Sequence, residues 1–144
     1  MSRAGYLIDT GIWIEVERGR LSAADLATLS AGLPMYVAPV SCAELQFAAA
    51  MAADEHVRQR RNQTVARLSE KTVLPMDAQT GFLYGKLAAD LIKSGRGSPL
   101  HRSQDLWLAA LAIQHNLQVI TCNRKDFDDI PGLDVQVLKH GVTQ

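Results

Sequence analysis

Residues 105–123 read DLWLAALAIQHNLQVITCN, an apolar segment that passes through His115 and Asn116 into a short β-branched stretch. Leu106, Ala109, Ala110, Ile113 and Leu117 recur at helical spacing, and Trp107, Leu108 and Leu111 widen the apolar surface. A helix that is apolar on most sides is a buried one, so the spacing predicts a largely buried helix over residues 104–115. Asn116, which tolerates the left-handed conformation, marks its end. VITC (119–122) then carries the β-branched enrichment of a strand.

The same alternation extends in both directions. GYLID (5–9), MYVAPV (35–40) and DVQVL (134–138) read as short strands, and KTVLPM (71–76) as a weaker fifth. Helical stretches fall between them at 11–18, 22–31, 43–53, 55–70 and 78–93. Short apolar strands separated by helices imply an α/β fold with a parallel sheet covered on both faces. Ser41 to Glu44 has the form of a capping box, and Asp77 stands where it can cap the helix at 78–93. Ser103 stands at the start of the buried helix, which puts Asp105 in its first turn.

Composition narrows the function. The 144 residues, 47% of them hydrophobic, suffice for one core and not comfortably for two, so a single domain over 1–144 is expected. Lys+Arg and Asp+Glu both number 15, which leaves no global basic footprint of a strongly cationic nucleic-acid binder, although local patches can still form. Cys42 and Cys122 lie far apart with no Cys-x-x-Cys pair and no suitable His spacing, which argues against a disulfide framework or a zinc site. No apolar run approaches the roughly 18 residues needed to cross a bilayer, and MSRAGYLID lacks the apolar core of a signal peptide. The expectation is a cytoplasmic protein with no membrane partner.

The acids carry the chemistry. Asp9 follows the first strand, Glu44 the second and Asp126, with Asn123 beside it, the strand at VITC; Asp105 opens the helix that leads into that strand. Taken singly, each has an ordinary explanation: Asp9 as an N-cap, Glu44 as the acidic half of a capping box, Asp105 as a complement to the helix dipole. Asp128 and Asp129 read as solvated turn acids. Taken together they share a location, because open parallel sheets gather functional groups outside the carboxyl ends of their strands. Two carboxylates about 4 Å apart repel by about 4 kcal/mol at an effective dielectric near 20, so such a cluster needs protons or a cation. An all-oxygen set without Cys or His suits Mg²⁺ or Mn²⁺ better than zinc.

LIDTGIWIE (7–15), VSCAELQFA (40–48), the stretch at 105–123 and KDFDDIPGLDV (125–135) resemble the ordered motifs of PIN-domain ribonucleases, most closely the VapC-type toxins of bacterial toxin–antitoxin pairs. The resemblance runs from about Gly5 to about Val137. It implies a three-layer α/β/α PIN-like domain with a central parallel sheet of about five strands and an acidic pocket holding Mg²⁺ or Mn²⁺. It further implies cleavage of single-stranded or loop RNA, such as tRNA, rRNA or mRNA. Asp9 and Asp105 match the principal metal ligands, Glu44 the acid between them, and Asp126 the variant fourth acid with Asn123 as a hydrogen-bonding helper. Thr10 matches a hydroxyl position that steadies a ligand or a water, or else simply caps the first helix. Cys122 stands where such motifs frequently have Arg.

Metal-assisted phosphodiester hydrolysis would follow, with Glu44 or Asp126 orienting or deprotonating the attacking water. An acidic pocket repels RNA, so cations must hold the substrate around it. Arg96 and Arg102 in SGRGSPLHRSQ (94–104) are the favoured contacts, ahead of the arginines of the 55–70 helix, which read as a solvated face. Toxins of this type form homodimers and are held by a small DNA-binding antitoxin, so both partners are expected. The rival readings are a PIN-like binding module without catalysis, a receiver domain and a haloacid-dehalogenase-like phosphatase. The receiver needs an acidic pair after the first strand and the phosphatase an Asp-x-Asp, and DTGIWIE supplies neither.

Overall fold

A computed structural model describes residues 3–96 and 99–138. Among these residues five strands, β1 (Gly5–Ile8), β2 (Met35–Val37), β3 (Thr72–Val73), β4 (Leu117–Thr121) and β5 (Val135–Val137), form one sheet in the order β3-β2-β1-β4-β5. Every pairing is parallel. Among the described residues six α-helices accompany them: α1 (Thr10–Glu17), α2 (Ala23–Ser30), α3 (Pro39–Ala50), α4 (Glu55–Ser69), α5 (Ala78–Lys93) and α6 (Ser103–Gln114).

Strand alternation divides the core. Leu7 and Val119 point to one face, where they meet Leu87 and Leu91 of α5 and the apolar body of α6. Ile8 and Ile120 point to the other, against Ile12 and Trp13 of α1, Leu26 of α2, Leu45 of α3 and Leu68 of α4. Both faces of the central strands are therefore buried, which is why they read as unbroken apolar runs. α6 is sequestered as its spacing predicts, with Leu106, Ala109, Ala110, Leu111 and Ala112 all at 0% exposure. Asn116 ends it at φ 56, in the left-handed region. At Gly5 a Cβ would stand 2.5 Å from the Pro34 carbonyl oxygen, so β1 enters beside that turn only without a side chain.

Helix starts differ from expectation in two places, and one of them bears on the site. α3 begins at Pro39 rather than Ala43, with Ala38 at its N-cap and no side-chain cap. Proline suits the first helical turn because its missing N–H would be unpaired there anyway. The expected capping box at Ser41 to Glu44 is therefore absent: Ser41 lies buried within the helix, and Glu44 is released from any capping duty. Ser103 is likewise the first residue of α6 rather than its cap, since a 3₁₀ turn (Pro99–Arg102) leads directly into the helix. Asp77 does cap α5, in a reciprocal box with Thr80. Among the described residues no helix is long and apolar enough to cross a membrane.

The order β3-β2-β1-β4-β5 reverses direction at β1. The chain moves from β1 to one side through β2 and β3, then returns to place β4 and β5 on the other. A crevice opens outside the carboxyl ends of β1 and β4, the position where sheets of this kind bind their ligands.

Candidate active site

Asp9 leaves β1 at this crevice. Its backbone is the N-cap of α1, but its carboxylate makes no capping bond. Instead Asp9 Oδ2 accepts a 2.7 Å hydrogen bond from Thr121 Oγ1, at the end of neighbouring β4. The pairing follows from register: Ile8 lies opposite Ile120, so the next residue of each strand meets across the crevice. Thr121, fully buried, also accepts from the Asn123 backbone N–H at 3.1 Å. Asn123 in turn caps the 3₁₀ turn Arg124–Asp126 by accepting from the Lys125 N–H. Burial pushes the Asp9 carboxyl above its ordinary range, against the hydrogen bonds from Thr121 and from the Thr10 backbone, and the charge of Asp126 adds to the rise.

Thr10 and Glu44 form a second group. The Thr10 hydroxyl lies 2.9 Å from Glu44 Oε1 and 2.8 Å from Ser41 Oγ. A carboxylate only accepts, so the single Thr10 proton goes to Glu44 and Ser41 is left to donate to Thr10. Across the crevice, the Gln104 side-chain nitrogen turned toward Glu44 donates to both of its oxygens, at 3.2 and 2.9 Å. Glu44 is pushed up by burial, opposed by its bond from Thr10 and reinforced by the charge of Asp9.

Asp105, in the first turn of α6, is the focus of the cluster. Its carboxyl is pushed up to about 7, first by burial, then by the charges of Asp126 and Asp9, and to a lesser degree by Glu44; Arg102 alone opposes the rise. Acids from three other segments thus act on one carboxyl. Glu44 and Asp105 are more than sixty residues apart in the chain, and the fold makes them neighbours in charge.

The arginines have an unexpected role. Arg102 grips Asp129 with both ends of its guanidinium, at 2.6 and 2.7 Å, and donates to the Asp126 carbonyl at 2.7 Å. This fork lowers the Asp129 carboxyl and ties the loop that carries Asp126 to the start of α6. Arg96 donates to the Asp129 carbonyl at 2.8 Å, so both arginines reach the same loop. Asp129 is therefore a bonded member of the site's frame, not the solvated turn acid its neighbourhood in the sequence suggests. Gly97 and Ser98, between the two arginines, lie outside the described residues.

Thr121, Ser41, Gln104 and Asp129 escape sequence reading. Thr121 alone leaves a faint mark, as a hydroxyl at the inward end of an apolar strand; the others are set by contacts far away along the chain.

Among the described residues no three acidic, imidazole or thiol side chains close into a ready-made metal cage. The donor set nevertheless suits Mg²⁺ or Mn²⁺, because Mg²⁺ is commonly held by one or two carboxylates while keeping several waters. Burial first, and then the neighbouring acids, disfavour the charge on Asp105, and a cation bound beside it would offset that cost.

Comparison with known proteins gives this geometry a family. The model of the PIN domain matches residues 6–133. The chain belongs to the PIN-domain family. This PIN domain is 31% identical over 135 residues to a ribonuclease VapC from Rickettsia bellii, spanning 91% of this chain and 94% of the relative. Among solved structures it superposes on VapBC-1 of nontypeable Haemophilus influenzae with a TM-score of 0.75 at 29% identity, covering 92% of this chain and 96% of that one. VapBC2 of Rickettsia felis, bound to a DNA fragment from its promoter, shares the fold with a TM-score of 0.78 at 22% identity, covering 93% and 98%. The five-stranded parallel sheet and its helical layers are those of the PIN fold.

Proposed function

We propose that this PIN domain, acting as one unit, is a metal-dependent endoribonuclease that cleaves single-stranded or loop RNA, and that it serves as the toxin of a toxin–antitoxin pair in the cytoplasm. The observation that carries the proposal is that the charges of Asp126, Asp9 and Glu44 all bear on the buried Asp105 carboxyl at the point where strand order reverses. The relatives' name of ribonuclease VapC supports the activity, and the VapBC complexes among its structural neighbours support an antitoxin partner.

Asp9 and Asp105 would hold the cation, Mg²⁺ or Mn²⁺. Bound there, such an ion supplies Lewis-acid polarisation of the phosphate and a lowered pKa for water. The protein's own residues do the rest. Thr121 fixes the Asp9 carboxylate by its 2.7 Å bond, and Asn123 holds Thr121 through the backbone. Thr10 and Gln104 aim Glu44, which orients the attacking water or takes its proton. Asp126 supplies the fourth negative group, on a loop that Arg102 holds in place. Exposed Arg96 is the cation offered to phosphate. A second copy of the chain has apolar surface to cover in Phe47 (68% exposed) on α3, Met51 (66%) at its C-cap and Phe82 (73%) on α5, which supports a homodimer.

The test is cleavage of an RNA panel with Mg²⁺, with Mn²⁺ and with EDTA, product ends mapped, comparing the native chain with Asp9→Asn. Cutting that needs the metal and is lost in the variant is the expected result. Metal-independent cutting, or full activity of Asp9→Asn, would overturn the mechanism; no cutting at all would leave a binding module.

A further inference from the structure

A second depression adjoins the acids, and nothing in the catalytic scheme uses it. It is a cleft of about 260 Å³ that shares Thr10 and Glu44 with the active site and runs from them between α1, α3 and α4. Ile14 and Leu45 give it apolar walls, and Glu17 and Arg61 stand at the far side. Its size admits one flat heterocycle and not a helix, whose diameter with side chains is about 10–12 Å.

Glu17 and Arg61 are both held in place by bonds made away from each other. Thr64, 1% exposed, donates to Glu17 Oε1 at 2.8 Å. Arg61 Nη1 donates to the Ala48 carbonyl at 2.7 Å. Arg61 and Thr64 are three residues apart on α4, so the residue that anchors Glu17 and the one that carries the guanidinium share a turn of that helix, and Glu17 and Arg61 line the same cleft. Yet among the described residues the two close no ion pair with each other. An anchored acceptor beside an anchored donor, each with bonding capacity left, is a pre-oriented recognition pair.

We propose that this cleft is a base-recognition pocket of the nuclease, which receives one unstacked guanine of the RNA strand next to the bond that is cut. The inference rests on the nuclease reading of the adjoining acids. Guanine is the base whose Watson–Crick edge offers two adjacent N–H donors, N1–H and the N2 amino group, with the O6 acceptor beside them. The free capacity of the Glu17 carboxylate accepts from the two donors, and Arg61 donates to O6. Ile14 and Leu45 cover the faces of the ring, and the neighbouring phosphate is thereby delivered toward Glu44. A pocket this narrow rejects paired RNA, since only a splayed base can enter it.

The test uses the full chain with Mg²⁺ or Mn²⁺ on a randomised single-stranded RNA pool, with product ends sequenced. Guanine enriched at one fixed position beside the cut is expected. Replacing that guanine by inosine, which lacks the N2 amino group, should slow the native chain about tenfold, the value of one lost hydrogen bond of about 1.4 kcal/mol. Glu17→Gln retains an acceptor for Thr64 but exchanges a free oxygen for an N–H₂ donor, so its guanine preference should fall by a similar factor and the inosine effect should vanish. The inosine comparison needs no variant, so it stands even if Glu17→Gln folds poorly. Cutting by the native chain with no guanine preference, or a preference indifferent to inosine and to Glu17→Gln, would refute the pocket alone. No cutting with either metal would remove the nuclease reading and the pocket with it.

Discussion

Replacing Asp105 by Asn should stabilise this PIN domain while abolishing its chemistry. Burial and three neighbouring acids disfavour the charge of the Asp105 carboxyl and push it up to about 7 from its ordinary 3.8. Three pKa units correspond to about 4 kcal/mol, and solvent screening at this half-buried carboxyl reduces the figure to about 2 kcal/mol. The folded state binds the proton that the unfolded state has already lost, so stability falls as pH rises from about 4 to about 7 and is flat above that. An uncharged Asn escapes the penalty. In EDTA at pH 8, Asp105→Asn should melt about 4–8 °C above the native chain. At pH 5 only about a third of that gap should survive, because the native carboxyl is then protonated in the fold. Saturating Mg²⁺ should narrow the gap at pH 8 by raising the native chain alone, since a ligand stabilises only the state that binds it. Differential scanning calorimetry at the two pH values, with and without Mg²⁺, reads all of this. An Asp105→Asn melting point at or below the native one in EDTA at pH 8 would refute the picture of crowded, uncompensated acids.

Two further outcomes follow from the site's frame. Asp129→Asn breaks the bidentate grip of Arg102 and should lower kcat about tenfold with little change in the KM for RNA, since a loosely held Asp126 loop costs geometry and not substrate contact; a raised KM at unchanged kcat would instead mark this pair as an RNA contact. Thr121→Val removes the hydroxyl bonded to Asp9 at nearly constant volume, and should weaken Mn²⁺ affinity about tenfold by titration calorimetry, the worth of a hydrogen bond to a charged group; native affinity in the variant would show that Asp9 needs no such support.

The fold was legible because its code is local. The strand runs at 5–9 and 119–122 and the apolar helix before Asn116 announce themselves through burial around the centre of a parallel sheet, and those at 35–40 and 134–138 through their short apolar, β-branched composition. The least certain strand proved the shortest, two exposed residues at the sheet edge, where little apolar burial is available to write a pattern. Helix starts were less legible, since Ser41 to Glu44 satisfies a capping rule while Pro39, two residues earlier, satisfies another and prevails.

The candidate site divides in the same way. Asp9, Glu44, Asp105 and Asp126 were visible in the sequence because strand ends in such sheets face one crevice, so position along the chain already implies a shared location. Their partners were not. That Asp9 turns from its cap to Thr121, that Gln104 reaches Glu44, that Arg102 closes on Asp129, and that Arg61 and Glu17 line one cleft are matters of distances between segments remote in the chain. Periodicity and capping act over a few residues and are written in the order of amino acids. Hydrogen bonds and charge repulsion act over a few ångströms in space, and only the folded chain decides which groups come that close.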